Sequence, residues 1–213
     1  MNEMSKAVLR RQRDPNFALR YFVGSGIDIG CGKDPIGNYR HCFPAMTACR
    51  PYDQIYGDGD AQLMAGVDED TFDWLASAHC LEHVHDAAEA LLNWLRIVKP
   101  GGHLVITLPD EDLYEQGVWP STFNGDHKAT FTIHKHRSWS PVSRNIFALL
   151  QALPAEAQVL KVELLDHANW YNVERFDQTL TPVAESAIEI VIRKRTAAEI
   201  VAGGRLPRAV HVP

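Results

Sequence analysis

Small and ionisable residues follow several apolar runs of the chain, at positions where they could contact a ligand. Gly30-Cys31-Gly32 comes directly after the apolar run at residues 26–29. Because glycine has no side chain, backbone N–H groups in such a turn can approach a ligand closely. Asp53 follows a second predicted strand, at 46–52, and a carboxylate there is suited to accept hydrogen bonds from two ribose hydroxyls. The pattern is typical of folds that bind nucleotides.

Two later runs are followed by residues of the same kind. Asp60 and Ala61 come after a poorly marked third run, and His79, Glu82 and His83 come after the fourth. In an open parallel sheet the ligand lies beyond the carboxyl ends of the strands. We therefore expect these residues to line one ligand site.

The elements that must position these residues alternate between strands and helices in the first half of the chain. This alternation predicts an α/β fold that is doubly wound, with a mostly parallel sheet of about seven strands and an antiparallel edge strand. A weak helical pattern over residues 5–22 is broken near Asp14-Pro15. Strands are predicted at 26–29, 46–52, 55–56, 72–78, 103–108, 159–165 and 187–193, and clear helices at 87–98 and 141–153.

Composition excludes several classes of protein. The chain has 213 residues, of which 46% are hydrophobic and 23% charged, as in ordinary globular proteins. Its net charge of −6 gives no overall positive field that would attract nucleic acid. Residues 1–20 lack the apolar stretch of a signal peptide, and no segment is long enough to span a membrane. We expect a cytoplasmic protein that binds neither nucleic acid nor membrane.

Common ligand-binding motifs are absent. The dinucleotide pattern G-x-G-x-x-G that begins at Gly30 fails because Pro35 stands where the third glycine would be. No phosphate-binding P-loop and no Gly-x-Ser-x-Gly nucleophile turn occurs. The four cysteines form no C-x-x-C pair, so neither a zinc ribbon nor a disulfide framework is predicted. Cys31 and Cys80 are expected to pack as reduced thiols.

Five segments, taken in order, resemble the motifs of S-adenosylmethionine-dependent methyltransferases of the Rossmann-like class. They are most similar to the branch that carries Leu-Glu-His and Lys-Pro-Gly-Gly. The resemblance spans about residues 25–110, and the ordered combination is more specific than any single motif. The segments are Gly26-Ile27-Asp28-Ile29-Gly30-Cys31-Gly32, Gly59-Asp60-Ala61-Gln62, Phe72-Asp73-Trp74, Ala78-His79-Cys80-Leu81-Glu82-His83-Val84 and Arg96-Ile97-Val98-Lys99-Pro100-Gly101-Gly102.

The resemblance implies a site for S-adenosylmethionine, with S-adenosylhomocysteine as the product. Asp28 would orient the glycine turn or the cofactor's amino group, and the turn would pass under the methionine part. Asp53 would hold the ribose, and Asp60 with Ala61 would line the adenine. The implied cofactor residues are Asp28, Gly30, Cys31, Gly32, Asp53, Asp60, Ala61 and His79.

One departure from the family pattern concerns the ribose-binding acid. Only six residues separate Asp53 from Asp60, which is too few for the helix that the family normally places between its second and third strands. A shortened connection would explain this, and Asp58 would also serve as the ribose-binding acid.

The transfer of a methyl group needs alignment first, and a general base only for some acceptors. Candidates for a base are His79, Glu82, His83 and the histidines of the loop at 119–139. That loop mixes aromatic and polar residues, which suits an acceptor pocket, although a solvated surface loop fits equally well. The expected catalytic residues are His83 and His127, and the expected acceptor-binding residues are Asp126 and His134.

Two other charged groups have simpler explanations than a binding site. His83 and His85 with Asp86 resemble a metal site, but spacing places no further ligand, so no metal is expected. The basic stretch at 10–13 is expected to be a solvated helix face.

The sequence thus indicates one methyltransferase domain over residues 1–213. It would comprise a helical lead-in at 1–24, a cofactor-binding half at 25–110 and an acceptor-side part at 111–213. The expected reaction is O-methylation of a small molecule or glycan by a monomer or homodimer. Two alternatives stay open: a cofactor-binding regulatory or structural partner without activity, and an NAD-dependent oxidoreductase.

Overall fold

The computed structural model of the protein describes residues 3–205, so the ends of the expected domain at 1 and 213 lie outside the described residues. The α-helices are α1 Glu3–Arg11, α2 Pro15–Tyr21, α3 Ala87–Ile97, α4 Ile146–Gln151 and α5 Ala197–Val201. The strands are β1 Gly24–Ile29, β2 Met46–Tyr52, β3 Phe72–Ala78, β4 Val98–Pro109, β5 Thr130–Thr132, β6 Ser143–Asn145, β7 Ala157–Leu165 and β8 Ala187–Lys194.

Six strands form the main sheet in the order β2-β1-β3-β4-β8-β7. The first four are parallel, and β8 runs antiparallel to both β4 and β7. Apolar clusters cover both faces, one including Trp94 of α3 and Ile146 of α4, the other including Val8 of α1 and Phe17 of α2. The predicted doubly wound α/β fold is therefore confirmed. No helix among residues 3–205 has the length and apolarity needed to cross a membrane.

The predicted strand at 55–56 is wrong, and the sheet has six strands instead of about seven. Residues Gln54–Tyr56 form a short 3-10 turn. The Asp53 carboxylate accepts a hydrogen bond from the Ile55 backbone nitrogen at 3.0 Å, and Gly57 ends the turn with a φ of +82°. A local cap and a left-handed glycine turn the chain here, so residues 55–56 cannot extend beside β2.

The predicted helix at 141–153 is also wrong in length. Residues 143–145 of this range form β6, which pairs in parallel with β5, and only α4 is helical. The side chain of Asn145 accepts a hydrogen bond from the Lys135 nitrogen and donates one to the Lys135 carbonyl oxygen. These contacts with the preceding loop hold the chain extended up to Asn145.

The N-terminal basic residues do not form the solvated face that the sequence indicates. Arg11 is 3% exposed, and its guanidinium pairs with Glu189 of β8 at 2.9 Å. Arg10 pairs with Glu189 at 2.8 Å and with Glu185 at 2.6 Å; only Arg13 of this group is exposed. Charged residues are rarely buried unless they are paired. The burial of Arg11 is therefore explained by Glu189, a partner far along the chain.

Candidate active site

A cleft of about 590 Å³ lies at the carboxyl ends of β1, β2 and β3. A second cleft of about 490 Å³ lies beside it, and Gly30 borders both. The structure thus brings together most of the residues that the sequence assigns to the site. The first cleft is lined by Gly30, Asp53, Asp60, Ala61, His79, His83 and Asp126, and the second by Gly30, Cys31 and Gly32.

The glycine turn after β1 contains two glycines with different roles. Gly30 has a φ of +67°, and a Cβ on it would lie 2.4 Å from the Cβ and Sγ of Cys80. Gly32 has a φ of +53°, and no atom lies within 4 Å of the place of its Cβ. Gly30 is therefore required by packing within the fold, while Gly32 leaves open space on the cleft side.

Asp28 lies beneath this turn and does not line either cleft. It is fully buried, and its carboxylate accepts a hydrogen bond from the Ile36 nitrogen at 2.6 Å. Burial raises the pKa of Asp28 to about 7. This contact holds the chain at Ile36, four residues after the glycine turn, and Asp28 makes no contact across either cleft.

The cleft places Asp53 and Asp58 differently. The Asp53 carboxylate lines the first cleft and accepts hydrogen bonds from the nitrogens of Gly32 at 2.9 Å and Ile55 at 3.0 Å. The Asp58 carboxylate turns away, toward the Asp53 nitrogen and the Arg50 guanidinium, each at 3.0 Å. Asp53 therefore joins the end of β2 to the glycine turn, and each of its two oxygens can still accept a further hydrogen bond.

Contacts with α3 and the residue that caps it hold the segment with Asp60 and Ala61, although no strand forms at 55–56. The Ala61 carbonyl oxygen accepts a hydrogen bond from the Trp94 indole at 2.8 Å. The side-chain oxygen of Gln62 accepts a hydrogen bond from the Asp86 nitrogen at 2.9 Å. In a capping box this bond is accepted by the side chain three residues after the cap, so Gln62 takes that role at the start of α3. The third helix thus fixes the far wall of the cleft.

A polar cluster surrounds the Glu82 carboxylate behind the first cleft. Glu82 is fully buried, and neither of its carboxylate oxygens has a hydrogen-bond partner among the described residues. Its Oε1 lies 3.5 Å from His79 Nδ1, 3.8 Å from His83 Nε2 and 3.9 Å from His127 Nε2. Burial raises the pKa of Glu82 to about 8 and lowers that of His79 to about 3.

The two predicted catalytic histidines each bind a second carboxylate through Nδ1. His83 Nδ1 lies 3.0 Å from Asp126 Oδ2, and His127 Nδ1 lies 2.7 Å from Glu115 Oε1. His83 borders the cleft, whereas His127 is buried and reaches Glu82 from behind it. The sequence does not indicate Glu115, because it lies in an irregular helical turn, Glu111–Glu115, with no periodic pattern.

His134 lies outside the site that the sequence assigns to it. Its ring stacks on Phe147 with centroids 6.1 Å apart, and it also contacts His136. His134 is exposed and lines neither cleft, because it follows β5, which pairs with β6. The loop at 119–139 therefore contributes Asp126 and His127 to the site but not His134.

The structure also places three residues for which the sequence favours a simpler explanation than a functional site. His85 borders the cleft but joins no group of metal-binding side chains in the described part of the chain. Asp86 accepts hydrogen bonds from the first turn of α3. Burial raises the pKa of Cys31 to about 12, which agrees with a passive thiol.

The N-terminal helix contributes a residue that the sequence misses. Glu3 of α1 borders the second cleft, and its Oε2 lies 3.6 Å from His79 Nε2. Buried Lys6 donates hydrogen bonds to Glu3, Thr179 and the Ala184 carbonyl oxygen, the last at 3.1 Å. The helical lead-in is thus part of the wall of the site.

Comparison with known proteins identifies the family. A model of a methyltransferase domain matches residues 3–175. The chain belongs to this methyltransferase family. No curated protein gives a sequence match.

Solved structures with this fold include several methyltransferases. An S-adenosylmethionine-dependent methyltransferase from Mesorhizobium loti superposes with a TM-score of 0.57 at 14% identity, covering 86% of this methyltransferase and 97% of that chain. One from Archaeoglobus fulgidus gives a TM-score of 0.56 at 15% identity, covering 88% and 93%. The YcgJ protein from Bacillus subtilis gives 0.55 at 15% identity, covering 92% and 100%. At these identities the likeness establishes the fold.

Proposed function

We propose that this methyltransferase binds S-adenosylmethionine across the two clefts and methylates an oxygen atom of a small molecule or glycan. The observation that carries the proposal is the position of Asp53, whose carboxylate lies on the cleft while it holds the nitrogen of Gly32. When bound, the cofactor supplies a methyl group on a positively charged sulfur.

The residues present fit such a cofactor. Asp53 would accept hydrogen bonds from the ribose, and the loop at Asp60 and Ala61 would contact the adenine. The methionine part would lie over Gly32, where a Cβ would meet open space. Carboxylates near the site lower the cost of enclosing a cation.

The acceptor would be bound on the side of the cleft that His79 and His83 line. A hydroxyl acceptor must give up its proton when its oxygen is methylated, and a neutral imidazole can take that proton. Burial lowers the pKa values of both His79 and His83, so both rings are neutral at physiological pH. His83 would therefore serve as the base, and buried His127 would position Glu82 and His83 from behind.

Replacing Gly32 with alanine should weaken binding of S-adenosylhomocysteine at least tenfold, because the new methyl group would occupy the space proposed for the ligand. Gly66→Ala is the matched control, since Gly66 also has a positive φ with open space around its Cβ but borders neither cleft. Each variant should lose about 1–2 kcal/mol of stability, because alanine disfavours a positive φ. Isothermal calorimetry measures the affinities, and equal affinity in both variants would contradict the cofactor site.

The oxygen acceptor is tested with pools of phenols, sugars and other hydroxyl compounds. We expect S-adenosylhomocysteine to form only with some pools, and mass spectrometry with NMR should locate the new methyl group on oxygen. A methyl group found on nitrogen or sulfur would refute O-methylation. Cofactor binding without turnover in every pool would favour the alternative of a regulatory or structural partner.

A further inference from the structure

The cluster around Glu82 has the composition of a metal site. Glu82, His83 and His127 each offer one possible ligand atom, and these three atoms lie within 4.8 Å of one another. No spacing in the sequence indicates this group, because His127 comes from the loop before β5. None of these three residues is among those that we assign to the cofactor.

Both histidines are oriented as metal-binding histidines are. Glu115 lies at Nδ1 of His127 at 2.7 Å, and Asp126 lies at Nδ1 of His83 at 3.0 Å. A carboxylate at one ring nitrogen keeps the proton there and leaves the other nitrogen with a free lone pair. The Nε2 atoms of both rings then direct lone pairs to the space beside Glu82 Oε1, at 3.8 Å and 3.9 Å.

Nothing among the described residues satisfies the Glu82 carboxylate. Both of its oxygens are buried and have no hydrogen-bond partner there. The nearest nitrogens of His83 and His127 lie 3.8 Å and 3.9 Å from its Oε1, which is too far for a hydrogen bond whether or not the carboxyl keeps its proton. Buried polar groups are normally hydrogen-bonded, and buried charges are paired or coordinate metals. A cation at the centre of the cluster would satisfy all three side chains together.

We propose that Glu82, His83 and His127 bind a divalent transition-metal ion, best matched by zinc, at the acceptor end of the cleft. Two imidazoles and one carboxylate are a donor set of catalytic zinc sites, whereas magnesium and calcium prefer oxygen ligands throughout. In a tetrahedral zinc site neighbouring ligand atoms lie about 3.3 Å apart, as zinc–ligand distances of about 2.0–2.1 Å require. The two distances from Glu82 Oε1 to the histidine nitrogens, 3.8 Å and 3.9 Å, therefore need to shorten by only about half an ångström.

The inference also narrows the acceptor class, a step that rests on the proposed function. Three protein ligands leave one position of a tetrahedral ion open, and His83 borders the cleft. An ion there would bind a hydroxyl of the acceptor and lower the pKa of that hydroxyl, so that its proton is lost to solvent. The ion would then replace His83 as the group that activates the hydroxyl, because His83 Nε2 would be bound to the metal. The acceptors favoured are compounds with a hydroxyl that can coordinate, such as phenols and vicinal diols.

The test uses the full chain after removal of metal with a chelator. Cobalt(II) is the probe, because its visible absorption reports binding by nitrogen and oxygen ligands, and zinc should displace it. We expect one cobalt per chain, no displacement by equal magnesium, and at least tenfold weaker binding in both His127→Ala and Glu82→Gln. The matched control is His134→Ala, an exposed histidine of the same loop, which should bind cobalt normally.

A second variant separates ligand loss from misfolding. Glu115→Gln keeps His127 but removes the carboxylate at its Nδ1, and loss of such a partner typically weakens metal binding by about 10–100-fold. Circular dichroism checks that each variant is folded. Absence of cobalt bands, undiminished bands in folded His127→Ala and Glu82→Gln, or displacement by magnesium would each overturn the proposal.

Failure of this inference is distinguishable from failure of the proposed function. Gly32→Ala should keep cobalt binding, and His127→Ala should keep binding of S-adenosylhomocysteine. Cobalt binding without any cofactor affinity would refute the cofactor proposal alone. Cofactor affinity without cobalt binding would refute the metal site alone.

Discussion

Replacing Glu189 with glutamine should lower the free energy of unfolding by about 3–5 kcal/mol, because buried guanidinium groups would lose their counter-charge. Arg10 and Arg11 both pair with this carboxylate, which is fully buried in β8. A loss of this size should reduce the melting temperature by on the order of 10 °C. Chemical denaturation and calorimetry measure both quantities.

Glu163→Gln is the matched control for this variant. Glu163 lies on the neighbouring strand β7 and pairs with Lys161, which also pairs with Glu189. Because Glu163 is exposed, its loss should cost less than about 1 kcal/mol. Equal losses in the two variants would show that burial of the pair at Glu189 does not stabilise the fold.

The contribution of Glu189 should also depend on pH. Its neighbouring arginines hold the pKa of Glu189 well below the ordinary value of 4.5. A carboxyl with a lowered folded-state pKa stabilises the protein above its unfolded-state pKa and loses this effect as the pH falls further. The difference in stability between the native chain and Glu189→Gln should therefore shrink below about pH 4.5. A constant difference from pH 7 to pH 3 would contradict this explanation.

Replacing Asp53 with alanine should weaken binding of S-adenosylhomocysteine by about a hundredfold. Hydrogen bonds to a charged group contribute about 1.5–3 kcal/mol each, so two to the ribose, taken at the lower limit of this range, account for a loss of about a hundredfold. The variant also releases the nitrogen of Gly32, which loosens the turn under the ligand. Calorimetric titration of the folded variant gives the affinity.

Asp58→Ala decides between the two acids that the sequence leaves open. Asp58 also accepts a backbone hydrogen bond, at the Asp53 nitrogen, but it does not line the cleft. Its removal should change the affinity by less than about threefold, since no ligand contact is lost. A larger loss in Asp58→Ala than in Asp53→Ala would reverse the assignment.

The strands β1 and β3 were predictable because each contains four consecutive buried residues, at 26–29 and 74–77. The edge strand β2 is buried only at its two ends. The bounds of β2 and β3 agree with the ranges 46–52 and 72–78 that the sequence indicates. The same parallel order carries Gly30, Asp53 and His79 to one edge of the sheet, so much of the cleft follows from the sequence. The break at Asp14 was also readable, since Asp14 caps α2.

The parts that could not be predicted depend on contacts between distant residues. Arg11 and Glu189 are each typical of an exposed position, and only their pairing explains their burial. His127 was indicated as a loop histidine, but nothing local placed it against Glu82 or Glu115. The missing strand after Asp53 depended on a cap within a three-residue turn, which hydrophobic periodicity does not detect.

The anchoring of α1 determines where the protein can be shortened. Lys6 holds this helix to the segment before β8, and Arg10 and Arg11 hold it to β8 itself. A fragment that begins at β1 would leave Glu189 without these arginines and would remove Glu3 from beside His79. Truncation at the amino terminus would therefore remove part of the wall of the second cleft together with the ion pairs that stabilise β8.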